Sequence, residues 1–264
     1  MRFFISRYIY IKTKLYKMSD TQFNLPTEVI ELPSKGLLYP EGHPLAEGKV
    51  EIKYMTAKEE DILTNQNYIK NGSVIDKLLQ SLLVTKFNYD DLLVGDKNAI
   101  MIAARVLAYG GKYDVTYGGT EQEIDLASLE NKFLDETLYV RGKNSFEYEL
   151  PHTKNKITFK LLTGHDEKKI DSELKGLKKI SKSTSADVTT RLAHTIIAVN
   201  GSSERKDIRE FVNNYFLAKD VREFRKHYSH IAPDVDMDVV LTNAEGESET
   251  VKLPIELGFF WPDL

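Results

Sequence analysis

One pattern occurs twice, and it limits the folds open to this chain more than any other feature. Lys49-Val50-Glu51-Ile52-Lys53-Tyr54-Met55-Thr56 and Lys156-Ile157-Thr158-Phe159-Lys160-Leu161-Leu162-Thr163 match in kind at an offset of 107 positions (156 minus 49). In the first, charged and apolar residues alternate with period two, which puts Val50, Ile52 and Tyr54 on one face of a strand. A threonine then stands where it can cap a helix, with an acid in the first turn that follows: Glu59 after Thr56, and Asp166 after Thr163. Strand followed by capped helix, twice over, predicts an α+β chain of two similar halves, each a strand, a helical cluster and a terminal β-hairpin. The reading is a diverged tandem duplication; chance likeness of eight residues is its competitor.

The punctuation between these anchors sets the boundaries. Residues 1–24 form a basic N-terminal arm and 25–48 an extended arm, because Pro26, Pro33, Pro40 and Pro44 with Gly36 and Gly42 forbid a helix. The first half covers 49–143, a polar linker 144–155, and the second half 156–264. Within the first half a helix is expected from Thr56 to about Lys70. A second, capped by Ser73, runs over Val74–Val84 with Val74, Ile75, Leu78, Leu79, Leu82 and Leu83 as an apolar stripe. A third helix or helix pair spans Asp90–Tyr109 and stops at Gly110-Gly111. A hairpin then turns at Gly118-Gly119-Thr120. In the second half, helices are expected over about 166–181, 185–199 and 205–228, and a hairpin over 237–242 and 249–253 around Gly246.

Composition narrows the function classes. The 264 residues are 41% hydrophobic and 29% charged, enough apolar material for a real core. With no cysteine, disulfides, thiolate catalysis and cysteine zinc sites are excluded. No apolar run reaches the roughly 18 residues of a membrane span, so no span is expected. The net charge is −4, and it becomes −9 without Arg2, Arg7, Lys12, Lys14 and Lys17 of the first seventeen residues (−4 minus 5). Apart from that arm the chain lacks the basic balance of a nucleic-acid reader.

The arm itself, where those bases interleave with Phe3, Phe4, Tyr8, Tyr10 and Tyr16, leaves three readings open. Met18 is the natural start; or the arm binds a membrane or nucleic acid; or it docks as a strand or helix on a partner. A peripheral binding protein attached through this arm is accordingly the alternative function.

Candidate catalytic and metal constellations dissolve on inspection. His227 and His230 beside Asp234, Asp236 and Asp238 look like a metal cluster, but the acids alternate with Val235, Met237 and Val239 and read as the solvent face of a segment entering a strand. The same acids mimic a calcium loop ending at Glu245, yet Val239 stands where the loop needs glycine. Gly110-Gly111-Lys112 lacks the rest of a phosphate loop, and no Gly-x-Ser-x-Gly elbow occurs. Lys168, Lys169, Lys175, Lys178, Lys179 and Lys182 read as a solvated helix face with ordinary ion pairs. No enzyme activity and no cofactor are expected.

An ordered series of short motifs carries a resemblance. It begins with Leu32-Pro33-Ser34-Lys35-Gly36 and Tyr39-Pro40, then Met55-Thr56 with Glu59-Glu60-Asp61-Ile62-Leu63, then Tyr109-Gly110 ahead of Tyr113. Later come Val199-Asn200-Gly201, Pro233-Asp234-Val235-Asp236, and Leu253-Pro254-Ile255 with Phe259-Phe260-Trp261-Pro262. In this order, from Leu32 to Pro262, the chain resembles the baseplate hub proteins of T-even-type contractile-tailed phages. The resemblance implies a structural subunit or assembly chaperone of the central hub, made in the host cytoplasm and present in the tail baseplate if retained. Its partners would be other hub and tail proteins, with no small-molecule substrate and no nucleic acid. The expected docking residues are Leu32, Pro33, Lys35, Leu37, Tyr39 and Pro40 of the extended arm, and the aromatic anchor Phe259, Phe260 and Trp261. That anchor either closes the chain's own core or plugs a neighbour's groove. Related sequences carry Cys pairs in the hairpins matching Tyr117-Gly118-Gly119-Thr120 and Leu241-Thr242-Asn243-Ala244. Here neither holds one, so backbone pairing and packing alone should hold the hairpins.

Overall fold

The alternating, β-branched stretches pair as the pattern requires. In the computed structural model, residues 14–16, 25–180, 186–253 and 257–260 are described. Strand β1 (Lys14–Tyr16) pairs antiparallel with β2 (Leu25–Glu31), which pairs antiparallel with β3 (Lys49–Lys53). In β3, Val50 and Ile52 are buried, as period two demands. The apolar stripe of the expected second helix is likewise inside: Val74, Leu78, Leu79 and Leu82 of α3 (Val74–Leu82) are buried.

Helix boundaries follow local caps. Thr56 and Glu59 close a capping box at the start of α1 (Ala57–Leu63). The expected single helix to Lys70 is two, because the Asn65 side chain accepts from the amides of Asn67 and Tyr68 and so caps a new helix, α2 (Gln66–Asn71). Ser73 makes no side-chain cap at α3; Gly72, left-handed at φ 69°, ends α2 there instead. After a short 3-10 turn at Tyr89–Asp91, α4 runs from Val94 to Tyr109 and stops at Gly110. The first hairpin joins β4 (Lys112–Tyr117) to β5 (Thr120–Asp125) through Gly118 and Gly119, both at positive φ.

From residue 144 onward the structure departs from expectation in three places. Residues 144–155, expected as a linker, contain β6 (Phe146–Glu149), whose own alternation lets it pair antiparallel with β7 (Lys156–Phe159). Helix α5 (Gly164–Ile180) follows as expected. The next helix, α6, covers only Asp187–Thr195, and the last four residues of the expected helix become β8 (Ile196–Val199). Ile196, Ile197 and Val199 are β-branched, and pairing with β7 satisfies their backbone better than another helical turn at the edge of the core. The expected single helix over 205–228 is also two, α7 (Arg205–Glu210) and α8 (Ala218–Ile231), because the chain widens into a looser turn over Phe211–Tyr215 and turns extended at Phe216. Strands β9 (Asp238–Thr242) and β10 (Ser248–Lys252) make the last hairpin.

The fold class is α+β, with small antiparallel sheets in the orders β1-β2-β3, β6-β7-β8, β4-β5 and β10-β9. The two stretches share one hydrophobic core, from Leu32 through Phe159 to Phe260. Their backbones join directly: Val94 N donates to Leu162 O at 3.2 Å and Gly164 N to Leu92 O at 2.9 Å. Gly95 is required at this seam, since a Cβ there would stand 1.8 Å from the Pro233 carbonyl oxygen.

Candidate docking surface

From Leu32 to Tyr39 the extended arm is turned inward except at Lys35. Leu32, Pro33, Leu37 and Tyr39 are buried, while Lys35 and Pro40 are exposed. The cause is Asp96, completely buried in the first turn of α4. It accepts from Ser34 N (2.9 Å), Ser34 Oγ (2.7 Å) and Tyr39 Oη (2.6 Å). Tyr39 Oη in turn accepts from Leu93 N at 3.1 Å. Burial of Tyr39, reinforced by the Asp96 charge, holds the phenol far above its usual range. Burial also pushes the Asp96 carboxyl up, outweighing the hydrogen bonds from Tyr39 and Ser34. The arm therefore braces its own domain, and of the six arm positions expected to dock only Lys35 and Pro40 present surface.

The aromatic anchor is equally committed. Phe259 and Phe260 are buried, their rings 5.5 Å apart, and Phe259 packs 5.2 Å from the Tyr113 ring. Arg105, buried, donates Nε to the Phe259 carbonyl at 2.9 Å and Nη1 to Gly110 O at 3.0 Å, with its guanidinium over Tyr109 and Tyr113. Of the two uses open to the anchor, these rings serve the chain's own core; Trp261 lies outside the described residues.

Around the two exposed arm residues the structure assembles a surface the sequence did not mark. Lys35 Nζ pairs with Glu136 at 2.7 Å, and Gly142 N donates to Leu37 O at 2.7 Å, which lays the segment 136–142 along the arm. On that segment Leu138 is 46% and Val140 65% exposed. Tyr139, between them, faces inward and packs its ring 5.6 Å from Phe146 of β6, while its hydroxyl donates to Ile231 O. Leu138 and Val140 are thus exposed on a segment that carries the Lys35–Glu136 pair, passes exposed Pro40 at Gly142 and leads into β6; together with Pro40 they make up an apolar ledge. Single exposed apolar residues need no explanation, but adjacent ones with a polar rim are the form of a protein contact. Phe133 is 89% exposed farther along the same connection.

The hairpins meet as well. The Gln122 amide accepts from Thr242 N (2.9 Å) and donates to Thr242 O (2.8 Å), and Tyr117 Oη donates to Glu249. Side-chain hydrogen bonds between the hairpins thus add to the backbone pairing and packing expected to hold them. Gly118 lies against Asn243, where an added Cβ would be 2.6 Å from the asparagine Cβ.

Buried acids serve the scaffold. Glu59 accepts from Thr56 and from Lys53 Nζ (2.7 Å); Asp166 accepts from Thr163 and from Lys160 Nζ (2.6 Å). Each member of the second clamp lies 107 positions after its counterpart (160 minus 53, 163 minus 56, 166 minus 59). Burial alone would raise Glu59, but the hydrogen bonds from Lys53 and Thr56 prevail and its carboxyl is held low. His227 is stacked on Tyr148 at 4.3 Å, and burial lowers its pKa. Asp234 accepts from Asn98 at 2.9 Å, and Asp236 and Asp238 face solvent. Among the described residues no group of three His, Asp or Glu is placed to hold a metal ion. A cleft of about 370 Å³ is lined by Leu93, Leu161, Leu192 and Phe224, and its Arg191 is bound to Glu167 at 2.9 and 3.1 Å. Among the described residues no helix is long and apolar enough to cross a membrane.

Neither a family model, nor a curated protein, nor a solved structure matches this chain.

Proposed function

We propose that the protein is a non-enzymatic structural subunit or assembly chaperone that works by docking on other proteins, and that its setting is the central baseplate hub of a contractile phage tail. The observation that carries the docking reading is the ledge of Pro40, Leu138 and Val140, exposed beside an ion pair while the buried ionisable groups around it are spent on the scaffold. The hub setting rests on the ordered resemblance described above. Its motifs fall on braces of the fold: Ser34 and Tyr39 on Asp96, Thr56 with Glu59, Tyr109 and Tyr113 around Arg105, and Pro233 against Gly95. They therefore speak for a shared fold more than for a shared contact surface.

Quantitative mass spectrometry of purified particles beside infected-cell lysate tests the reading. Stoichiometric peptides in particles mark a hub subunit, and peptides abundant in lysate in complex with hub proteins but absent from particles mark a chaperone. A chain found in neither association refutes it. Peptides from residues 1–17 decide between Met1 and Met18 as the start.

A further inference from the structure

Among the described residues no strand pairs with the outer edge of the second sheet. Leu150 N donates to Asn155 O at 2.9 Å, and the β6–β7 register pairs Tyr148 with Ile157 and Phe146 with Phe159. Hydrogen-bonded pairs alternate in an antiparallel ladder, so the N–H and C=O groups of Glu147 and Glu149 point away from β7. They have no backbone hydrogen-bond partner among the described residues. Strand β6 is also the outer strand of its sheet, in the order β6-β7-β8.

The first sheet shows the same kind of edge filled. There β2 stands to β3 as β6 stands to β7, and its outer edge carries β1, with Lys14 opposite Thr27 and Tyr16 opposite Leu25.

Charge decides what the open edge accepts. Glu147 and Glu149 are exposed and share one face of β6, with Phe146 and Tyr148 half-buried on the other. Two copies pairing through β6 would set four carboxylates together, which disfavours self-association there. A strand with lysine or arginine at alternate positions and apolar residues between sets opposite charges across each pair and apolar residues beside Phe146 and Tyr148.

We infer that β6 is a strand-addition site for an extended segment of a partner protein carrying basic residues at every second position. The site deepens the docking function proposed above and rests on it, since the ledge at Leu138 and Val140 leads along the chain into β6.

The probe is a synthetic peptide with this pattern, Ile-Lys-Thr-Lys-Leu-Tyr, the sequence of residues 11–16. It is added to the full chain while backbone amide hydrogen exchange is followed by NMR. The expected result is at least about tenfold slower exchange at the Glu147 and Glu149 amides, with Tyr148, already bonded, unchanged. The effect should vanish with a peptide bearing glutamate for lysine, and in the double variant Glu147→Lys, Glu149→Lys. Glu147→Pro, which removes an outward N–H and leaves the β6–β7 bonds intact, should weaken it as well. Unchanged amides at saturating peptide, equal protection by the acidic peptide, or protection confined to β2 would each overturn the inference. If these fail while the chain still co-purifies with hub proteins, the docking function stands and only the strand site falls.

Discussion

Asp96 and Asp220 hold matching stations in the fold. Each is the third residue of a helix, α4 or α8, and each turns its carboxylate onto the loop that joins the two paired strands before it. Asp96 takes Ser34 N and Oγ; Asp220 takes His152 N (2.9 Å), Thr153 N (3.1 Å) and Thr153 Oγ1 (2.8 Å). A carboxylate in the first helical turn also meets the positive end of the helix dipole. The two differ in balance. At Asp96 burial outweighs the hydrogen bonds and the pKa is raised; at Asp220 burial is outweighed by the His152 and Thr153 donors and the pKa is lowered.

That difference separates the substitutions. Replacing either aspartate by alanine strands buried donors and should cost about 3 kcal/mol by urea denaturation. Asp96→Asn removes an unfavourably buried charge and keeps an acceptor, so it should cost only about 1 kcal/mol. Asp220→Asn should lose clearly more than Asp96→Asn, and equal losses would contradict the balance described.

The close backbone approach of Gly95 to Pro233 makes a second prediction. Gly95→Ala drives a Cβ into backbone at Pro233 and should cost about 3 kcal/mol or more. Gly176 in α5 has nothing within 4 Å of its Cβ position, so Gly176→Ala should stabilise by about 0.5–1 kcal/mol. Thermal melts of the two single variants should move in opposite directions.

Acid stability should depend on Glu173. Arg209 Nη2 donates to it at 2.7 Å, and His194 lies at 3.0 Å; the Arg209 hydrogen bond leads in holding its pKa at about 2 against an ordinary 4.5. A lowered carboxylate contributes stability above its unfolded value and loses it as pH falls toward the folded one. The loss therefore falls between about pH 4.5 and about pH 2, and Glu173→Gln should flatten that limb of the stability curve.

Core and surface should separate cleanly. Phe259→Ala or Phe260→Ala should each cost about 3–5 kcal/mol, because both rings are fully enclosed. Val140→Asp together with Leu138→Ser should change stability by only about 0.5 kcal/mol each. If the ledge docks a partner, the same pair should weaken capture of hub proteins about tenfold, and unaltered capture would exclude it.

Local signals were legible wherever neighbouring residues settle the outcome. The Thr56–Glu59 capping box, the glycine hairpin turn after Tyr117, the strand at Lys49–Lys53 and the α3 stripe each depend on contacts within a few positions. β6 was legible in the alternation of Phe146 to Glu149 and was missed because the flanking polar residues suggested a linker.

The sequence by itself determined the α+β class, the paired strand-and-cap units, and even the acids that close the Lys53 and Lys160 clamps, since a period and a cap are written in adjacent residues. Only the tertiary structure decided which apolar residues face water. Leu32, Leu37, Tyr39 and Phe259 look as available for docking in sequence as Leu138 and Val140, yet Asp96 and Arg105 pull the former inward across separations of 62 and 154 positions. Such long-range hydrogen bonds turn on where buried charge finds its partners, and no local pattern encodes that.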